Sequence, residues 1–215
     1  MAVLPMFPLG SVLLPGAVLP LHVFEPRYRA LVQHCLDADE HEFGVVLIDR
    51  GHEVGGGDVR RRVGTVARML QVAELDGGRY AMVCVGTRRI RINEWLSDDP
   101  FPRAEVGDWD DDDDDADEQL PDLYRRVAAR TRRTAALATE LGDPAGDASS
   151  DLSDDPLVGS YQLVVLAPLG GADEYDLLCA PGPMRRLQML DERLDDVDAA
   201  HRFRLANGDS EPDDI

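Results

Sequence analysis

The chain of 215 residues contains no lysine; all 22 of its basic residues are arginine. Any mechanism that needs a lysine ammonium is therefore excluded from these residues, including a P-loop phosphate clamp, a Schiff base or a Ser–Lys dyad. Cysteine is scarce as well. Cys35, Cys84 and Cys179 lie far apart and form no C-x-x-C pair, which argues against a disulfide framework or a zinc ribbon and predicts ordinary buried thiols. Aromatic residues make up 6% of the chain, sparse for base stacking. No apolar run approaches the length of a membrane span. The opening MAVLPMFPLG carries no basic residues ahead of its apolar ones, so neither a secretory signal nor a membrane partner is expected and the cytoplasm is the default.

What is abundant is acid, and it is unevenly placed. The formal net charge is −20. Residues 1–107 hold 14 acids and 12 arginines, a net of −2, whereas residues 108–215 hold 28 acids and 10 arginines, a net of −18. Such asymmetry marks segments with different surroundings and repels nucleic acid at long range. The expected division is a β-domain at 1–107, an acidic linker at 108–118, a helical bundle at 119–206 with a flexible loop at 142–155, and a disordered tail at 207–215.

The stretch PGAVLPLHVFEPRYRALV, residues 15 to 32, joins bare aliphatics to three prolines just before a helix start. Proline survives in sheets only at edges, first positions or bulges, so the first 24 residues read as two short, interrupted strands. From Tyr28 the apolar residues fall at helical spacing through Leu31, Val32, Cys35 and Leu36, with Pro26 in the first turn. Val23 and Phe24 are expected to pack beneath that helix. Phe43 to Ile48 is a continuous apolar run of strand length. Val63 to Glu74 and Tyr80 to Ile92 form a long hairpin around Asp76-Gly77-Gly78, and a last strand ends near Val106. About six strands and one helix make a curled, barrel-like domain.

The run DWDDDDDDADE, residues 108–118, has six consecutive aspartates that repel one another and reads as a solvated linker. Its carboxylates lack the spacing and the turn glycine of a cation loop. Beyond it, Leu120, Leu123, Tyr124, Val127, Leu137 and Leu141 fall on a broken helical stripe. A second helix starts at Pro156, capped by Ser153 or Asp155, and buries Leu157, Tyr161, Val164 and Val165. A short helix spans roughly 172–179, and a last one carries Leu187, Leu190, Leu194 and Val197. Four helices with short connections form a small bundle.

No catalytic constellation stands out, and neither a metal nor a cofactor is expected. His34 and His41 flank Asp37, Asp39, Glu40 and Glu42, but the gap spans a helix end and reads as a solvated terminus. His22 reads as a structural strand histidine. Ser11 and Ser160 lack a G-x-S-x-G elbow. Gly55-Gly56-Gly57 has no strand-to-helix context and reads as loop slack.

The ordered motifs carry a resemblance. FPL-x-x-VLLPG-x-x-LPL-x-VFEPRY, Phe7 to Tyr28, resembles the N-terminal substrate-binding domain of Lon proteases, and most closely the stand-alone bacterial proteins consisting of that domain. FGVVLI, VGTVARM and DGGRYAMVCVGTRRIRI match later blocks in order, and APLGGADEYDLLCAPGPMRRLQML, Ala167 to Leu190, is similar to the C-terminal helical signature. The resemblance implies an α+β protein: a PUA-like β-barrel followed by a helical bundle. It also implies a non-catalytic module recognising unfolded or tagged polypeptides, as an adaptor beside a protease or chaperone. Without lysine, the Walker clamp and the Ser–Lys dyad of full-length Lon are missing from these residues. The peptide-binding candidates are Phe7, Leu14, Phe24, Glu25, Arg27 and Tyr28, with an apolar groove or a strand edge as the receiving surface. The alternative is RNA binding, because PUA-like barrels recur in RNA-binding proteins, with Arg60, Arg61, Arg62, Arg88, Arg89 and Arg91 as its basic face.

Overall fold

The computed structural model describes residues 2–50, 59–112 and 118–207. His52, the glycines at 55–57, the aspartates at 113–115 and the tail beyond Asn207 lie outside the described residues. The chain divides into two units, Met1–Asp110 and Asp111–Ile215.

The first unit holds β1 (Ala2–Leu9), β2 (Val18–Val23), α1 (Pro26–Leu36), β3 (Glu42–Arg50), β4 (Val59–Leu75), β5 (Arg79–Trp95) and β6 (Arg103–Asp108). The strand order is β2-β5-β4-β3-β1-β6, and β5 also pairs with β6. Five strands therefore close into a ring, and β2 stays outside it on one end of β5. Closure is possible because β4 and β5 are each 17 residues long. The Arg79–Val85 half of β5 pairs with β2 and the distal half of β4. Its Ile90–Trp95 half pairs with β6. Bulges at Thr65/Ala67 and Met69/Gln71 supply the bending that a closed sheet needs.

Alternation along the strands feeds two cores. Met6, Val46, Val66, Ile90, Ile92, Ala104 and Val106, drawn from all five ring strands, form one cluster inside the barrel. The opposite parity, with Phe7, Phe43, Val45, Met69, Tyr80, Met82 and Cys84, packs with Tyr28, Leu31, Val32 and Cys35 of α1. The Phe7 and Tyr28 rings stack with centroids 4.1 Å apart. Burial pushes the Cys35 and Cys84 thiols up to about 12, so both stay protonated at neutral pH.

Phe24 departs from expectation. Val23 is buried beneath α1, but Phe24 is 58% exposed, because the next residue along a strand faces the other way.

The second unit contains α2 (Leu120–Glu140), α3 (Pro156–Leu166), α4 (Gly171–Leu178) and α5 (Pro183–Asn207). Asp155 caps α3 by accepting from the Leu157 N–H at 2.9 Å, as an N-cap should. Two parts of the expected stripes differ. The buried face of α2 continues through Thr131, Thr134, Ala135 and Ala138 instead of Leu137 and Leu141, since 3.6-residue spacing brings the small residues inward. On α3, Leu157 and Val165 are substantially exposed. The polar stretch at 142–155 follows a path held by hydrogen bonds. Tyr124 Oη donates to Ser153 O at 2.6 Å, Arg132 Nη2 to Ser150 O at 2.7 Å, and Gly146 N to Leu166 O at 3.1 Å.

Asp111 also departs from the solvated-linker reading of its run. Its carboxylate is 4% exposed and lies 2.5 Å from Arg186 Nη2, whose side chain is 0% exposed. Tyr161 Oη donates to the same carboxylate, and Asp112 N donates to Pro181 O at 2.8 Å.

Candidate functional site

The six peptide-binding candidates separate. Phe7, Leu14 and Tyr28 are buried at 7%, 2% and 3% exposure, so they build the core and present no surface. Glu25 and Arg27 pair with each other at 3.1 Å, and the Arg27 guanidinium lies over the Tyr28 ring. Phe24 is the one strongly exposed member.

The arginine candidates are largely engaged inside the first unit. Arg60 forms two bonds to Asp98 and lies over Trp95. Arg61 pairs with Asp49 at 2.6 Å. Arg88 pairs with Glu42 at 2.7 Å and Asp108 at 3.0 Å, bonds that raise its pKa against the opposing effect of burial. Arg89 and Arg91 both lie over Trp109. Arg62 is exposed. Phosphate affinity needs cations free to displace counterions, and ion-paired arginines offer few, so the arrangement lends RNA binding no support.

What the structure does expose is the outer face of the β2-β5-β4 sheet. Pairing sets its rows: Val18 opposite Val85, Pro20 opposite Val83, and His22 opposite Ala81. On the other side, Val83 sits beside Gln71, Ala81 beside Ala73, and Arg79 beside Leu75. The alternate residues Leu19, Leu21, Tyr80, Met82 and Cys84 face α1 and the core. The inner parity is apolar and covered; the outer parity mixes apolar residues with His22, Gln71 and Arg79, and several of its apolar side chains stand exposed. Val18 is 64% exposed and Leu75 38%, and Leu70, the extra residue of the Met69/Gln71 bulge, is 56% exposed. Sequence reasoning missed these residues. The signal was YAMVCV at 80–85, where both alternating sets are apolar in a strand next to a turn.

The two edges of this sheet differ. Gly86 N donates to Ala17 O at 2.9 Å, which fixes the ladder phase so that residues 18, 20 and 22 turn their backbone groups outward. Pro20 thus removes a donor from the outward edge of β2, the usual way of blunting an edge. On the other side, β3 pairs with β4 only as far as Glu42 opposite Arg68. One further bond joins Met69 N to His41 O at 3.0 Å, and His41, at φ 50°, turns the chain away. Among the described residues, no strand pairs with this edge of β4 beyond that point, while β5 continues along the other edge as far as Leu75.

An open cleft of about 550 Å³ lies at this turning point, lined by Asp39, Glu40, His41, Glu42, Arg68, Met69, Arg88 and Asp108. The Glu42 carboxylate, 3% exposed, is held by Arg68 at 2.8 Å and Arg88 at 2.7 Å. His41 Nδ1 is committed to Cys35 O at 2.9 Å, and His34 packs on Phe101, so the two histidines do not converge. A second groove, of about 360 Å³, runs between Arg29, Ala30 and Gln33 of α1 and Glu74 and Tyr80 of the hairpin.

A closed PUA-like ring of strands, followed in the chain by four helices, defines the α+β fold, and the outer face of the β2-β5-β4 sheet carries its exposed apolar residues. The family model of the ATP-dependent protease La (LON) substrate-binding domain matches residues 3–196, and the chain belongs to that family. It is 34% identical over 150 residues to a Lon protease of Anaeromyxobacter dehalogenans, covering 65% of this chain and 18% of that protein. It is 36% identical over 107 residues to Lon protease 2 of Myxococcus xanthus, covering 48% of this chain and 13% of that protein. The chain thus spans less than a fifth of these curated relatives. Among solved structures it is similar to a Lon N-terminal domain protein from Xanthomonas campestris, with a TM-score of 0.64 and 30% identity, covering 88% of this chain and 97% of that one. The fold is shared with the N-terminal domain of a Mycobacterium avium complex Lon protease, at a TM-score of 0.63 and 20% identity over 91% of this chain and 99% of that one. No described helix is long and apolar enough to cross a membrane.

Proposed function

We propose that the chain is a polypeptide-recognition module of the Lon type, working as an adaptor in protein quality control without ATPase or peptidase activity of its own. The observation that carries this reading is the uncovered apolar face of the β2-β5-β4 sheet, bearing Val18, Leu70 and Leu75. Exposed apolar surface of this kind marks a site of association, and the partner that matches it is an unfolded or tagged segment with apolar side chains displayed. Phe24 extends the face at the end of β2, with the Glu25–Arg27 pair at its corner. The lack of lysine supports the non-catalytic part, because neither nucleotide clamp nor Ser–Lys chemistry can be built from these residues.

The test is binding of a permanently unfolded polypeptide, such as reduced and carboxymethylated lactalbumin, to the wild-type chain and to the double variant Val18→Glu/Leu70→Glu. Both positions are exposed, so the melting temperature should not move. Burying two aliphatic side chains against a client is worth enough to weaken affinity about tenfold or more when they are replaced by carboxylates. Unchanged affinity in the double variant would remove the face from consideration.

A further inference from the structure

We propose that the outer edge of β4, Leu70–Leu75, receives the client as an added antiparallel strand of alternating apolar and polar residues, with a basic residue at its C-terminal end. The inference rests on the polypeptide-recognition reading above and adds the binding mode and the class of sequence preferred.

The argument begins with backbone groups. Ring closure uses both sides of β1, β3 and β6, and Pro20 blunts the outward edge of β2. In the distal half of β4, every second residue turns its N–H and C=O outward, and the segment LQVAEL contains no proline, bulky charge pair or covering strand among the described residues. Unpaired edges of this kind are templates for strand addition. The neighbours already paired with β4, namely β3 and β5, are both antiparallel to it, and a client in the same sense lies in line with β3.

That placement fixes the side chains. One parity of the added strand continues the outer face beyond Gln71, Ala73 and Leu75, beside Val83 and Ala81, and favours apolar residues. The other parity faces the groove of Arg29, Gln33 and Glu74 and favours polar ones.

The placement also fixes the end. A strand in line with β3 runs toward Met69 and His41, so its C-terminal end arrives at the cleft of Asp39, Glu40, Glu42 and Asp108. Arg68 and Arg88 already answer Glu42, and Arg88 answers Asp108. Asp39 and Glu40, both exposed, remain to meet the arriving residue, and a cation complements them.

The experiment measures affinity of the full chain for synthetic ten-residue peptides alternating valine and threonine. They end in C-terminal arginine amide or C-terminal glutamate amide, or carry the arginine at the N-terminus. The C-terminal arginine form should bind about threefold to tenfold tighter than the glutamate form, as expected for partly exposed charge pairs. Asp39→Asn/Glu40→Gln should erase that preference. Hydrogen exchange should slow at the outward amides within Leu70–Leu75, those of Val72 and Glu74, and N-methylation of alternate peptide residues should weaken binding in one phase of the alternation only. Peptides that bind without protecting these two amides, or without preferring a C-terminal cation, overturn this inference while leaving the broader function intact. Failure of every unfolded polypeptide to bind overturns both.

Discussion

Among the described residues, Arg186 is the largest side chain with essentially no solvent exposure, and its burial is tolerable because its donors are engaged. Nε reaches Leu177 O at 3.3 Å, Nη1 reaches Ser160 Oγ at 2.8 Å, and Nη2 reaches both Asp111 and Tyr161 Oη. The guanidinium lies 3.6 Å from the Tyr161 ring centroid. Removing one partner of a buried pair strands the other, which costs roughly 3–5 kcal/mol. Arg186→Met should therefore lower the urea midpoint by a corresponding amount, with the slope of the transition unchanged. A midpoint within experimental error of wild type would show that Asp111 finds water instead. Half of this pair was legible beforehand. Arg186 sits four residues before Leu190 and eight before Leu194, on the same stripe that identifies α5, so its inward direction follows from periodicity. Asp111 was not legible, because nothing local separates one aspartate from its identical neighbours; the partner that selects it is 75 residues away in sequence.

Among the elements, the hairpin of β4 and β5 shows why most of the first unit could be read from the chain. Its alternation, its Asp76-Gly77-Gly78 turn and its β-branched content are local properties, and the left-handed φ of 78° and 68° at the two glycines is the geometry such a turn demands. The close approaches were signalled more quietly, by the tripeptide VGT occurring at both 63–65 and 85–87. A Cβ on Gly64 would meet Val45 O at 2.2 Å, and one on Gly86 would meet Leu14 O at 2.3 Å. Backbone cannot step aside as a side chain can. Gly86→Ala is expected to cost about 1–3 kcal/mol or more, whereas Gly107→Ala, whose nearest neighbour is 3.7 Å away, should be close to neutral. Comparable melting temperatures for the two variants would contradict the packing of the 10–17 segment on β5. The open outer face was harder to read, since alternation reveals which residues share a side but not whether that side is covered.

For the molecule as a whole, charge is the feature that separates the halves. Residues 108–215 carry a net of −18 against −2 for residues 1–107, and self-repulsion of like charges opposes compaction. Arg130 offsets part of it by bridging Asp191, Asp195 and Asp198 between α2 and α5. Although burial pushes the Asp198 carboxyl up, the bonds from Arg130 and Thr134 prevail and hold it below its usual range. Salt shortens the reach of the remaining repulsion, from about 30 Å at 0.01 M to about 8 Å at 0.15 M. Raising ionic strength over that range should lift the melting midpoint read by helical circular dichroism. It should leave the midpoint read by tryptophan fluorescence nearly fixed, because Trp95 and Trp109 both belong to the first unit. Equal shifts in the two signals would refute the assignment of the repulsion to the helical half.

The two-sided use of β5 sets a rule for how this chain can vary in length. Inserting a single residue between Tyr80 and Val85 would reverse the facing of every strand residue on one side of it, turning members of the set Tyr80-Met82-Cys84 outward and driving members of Ala81-Val83-Val85 under α1. Added residues at the Asp76–Gly78 tip leave that frame untouched. Tolerated insertions in this hairpin should accordingly collect at the tip, where the strand's parity is not yet committed.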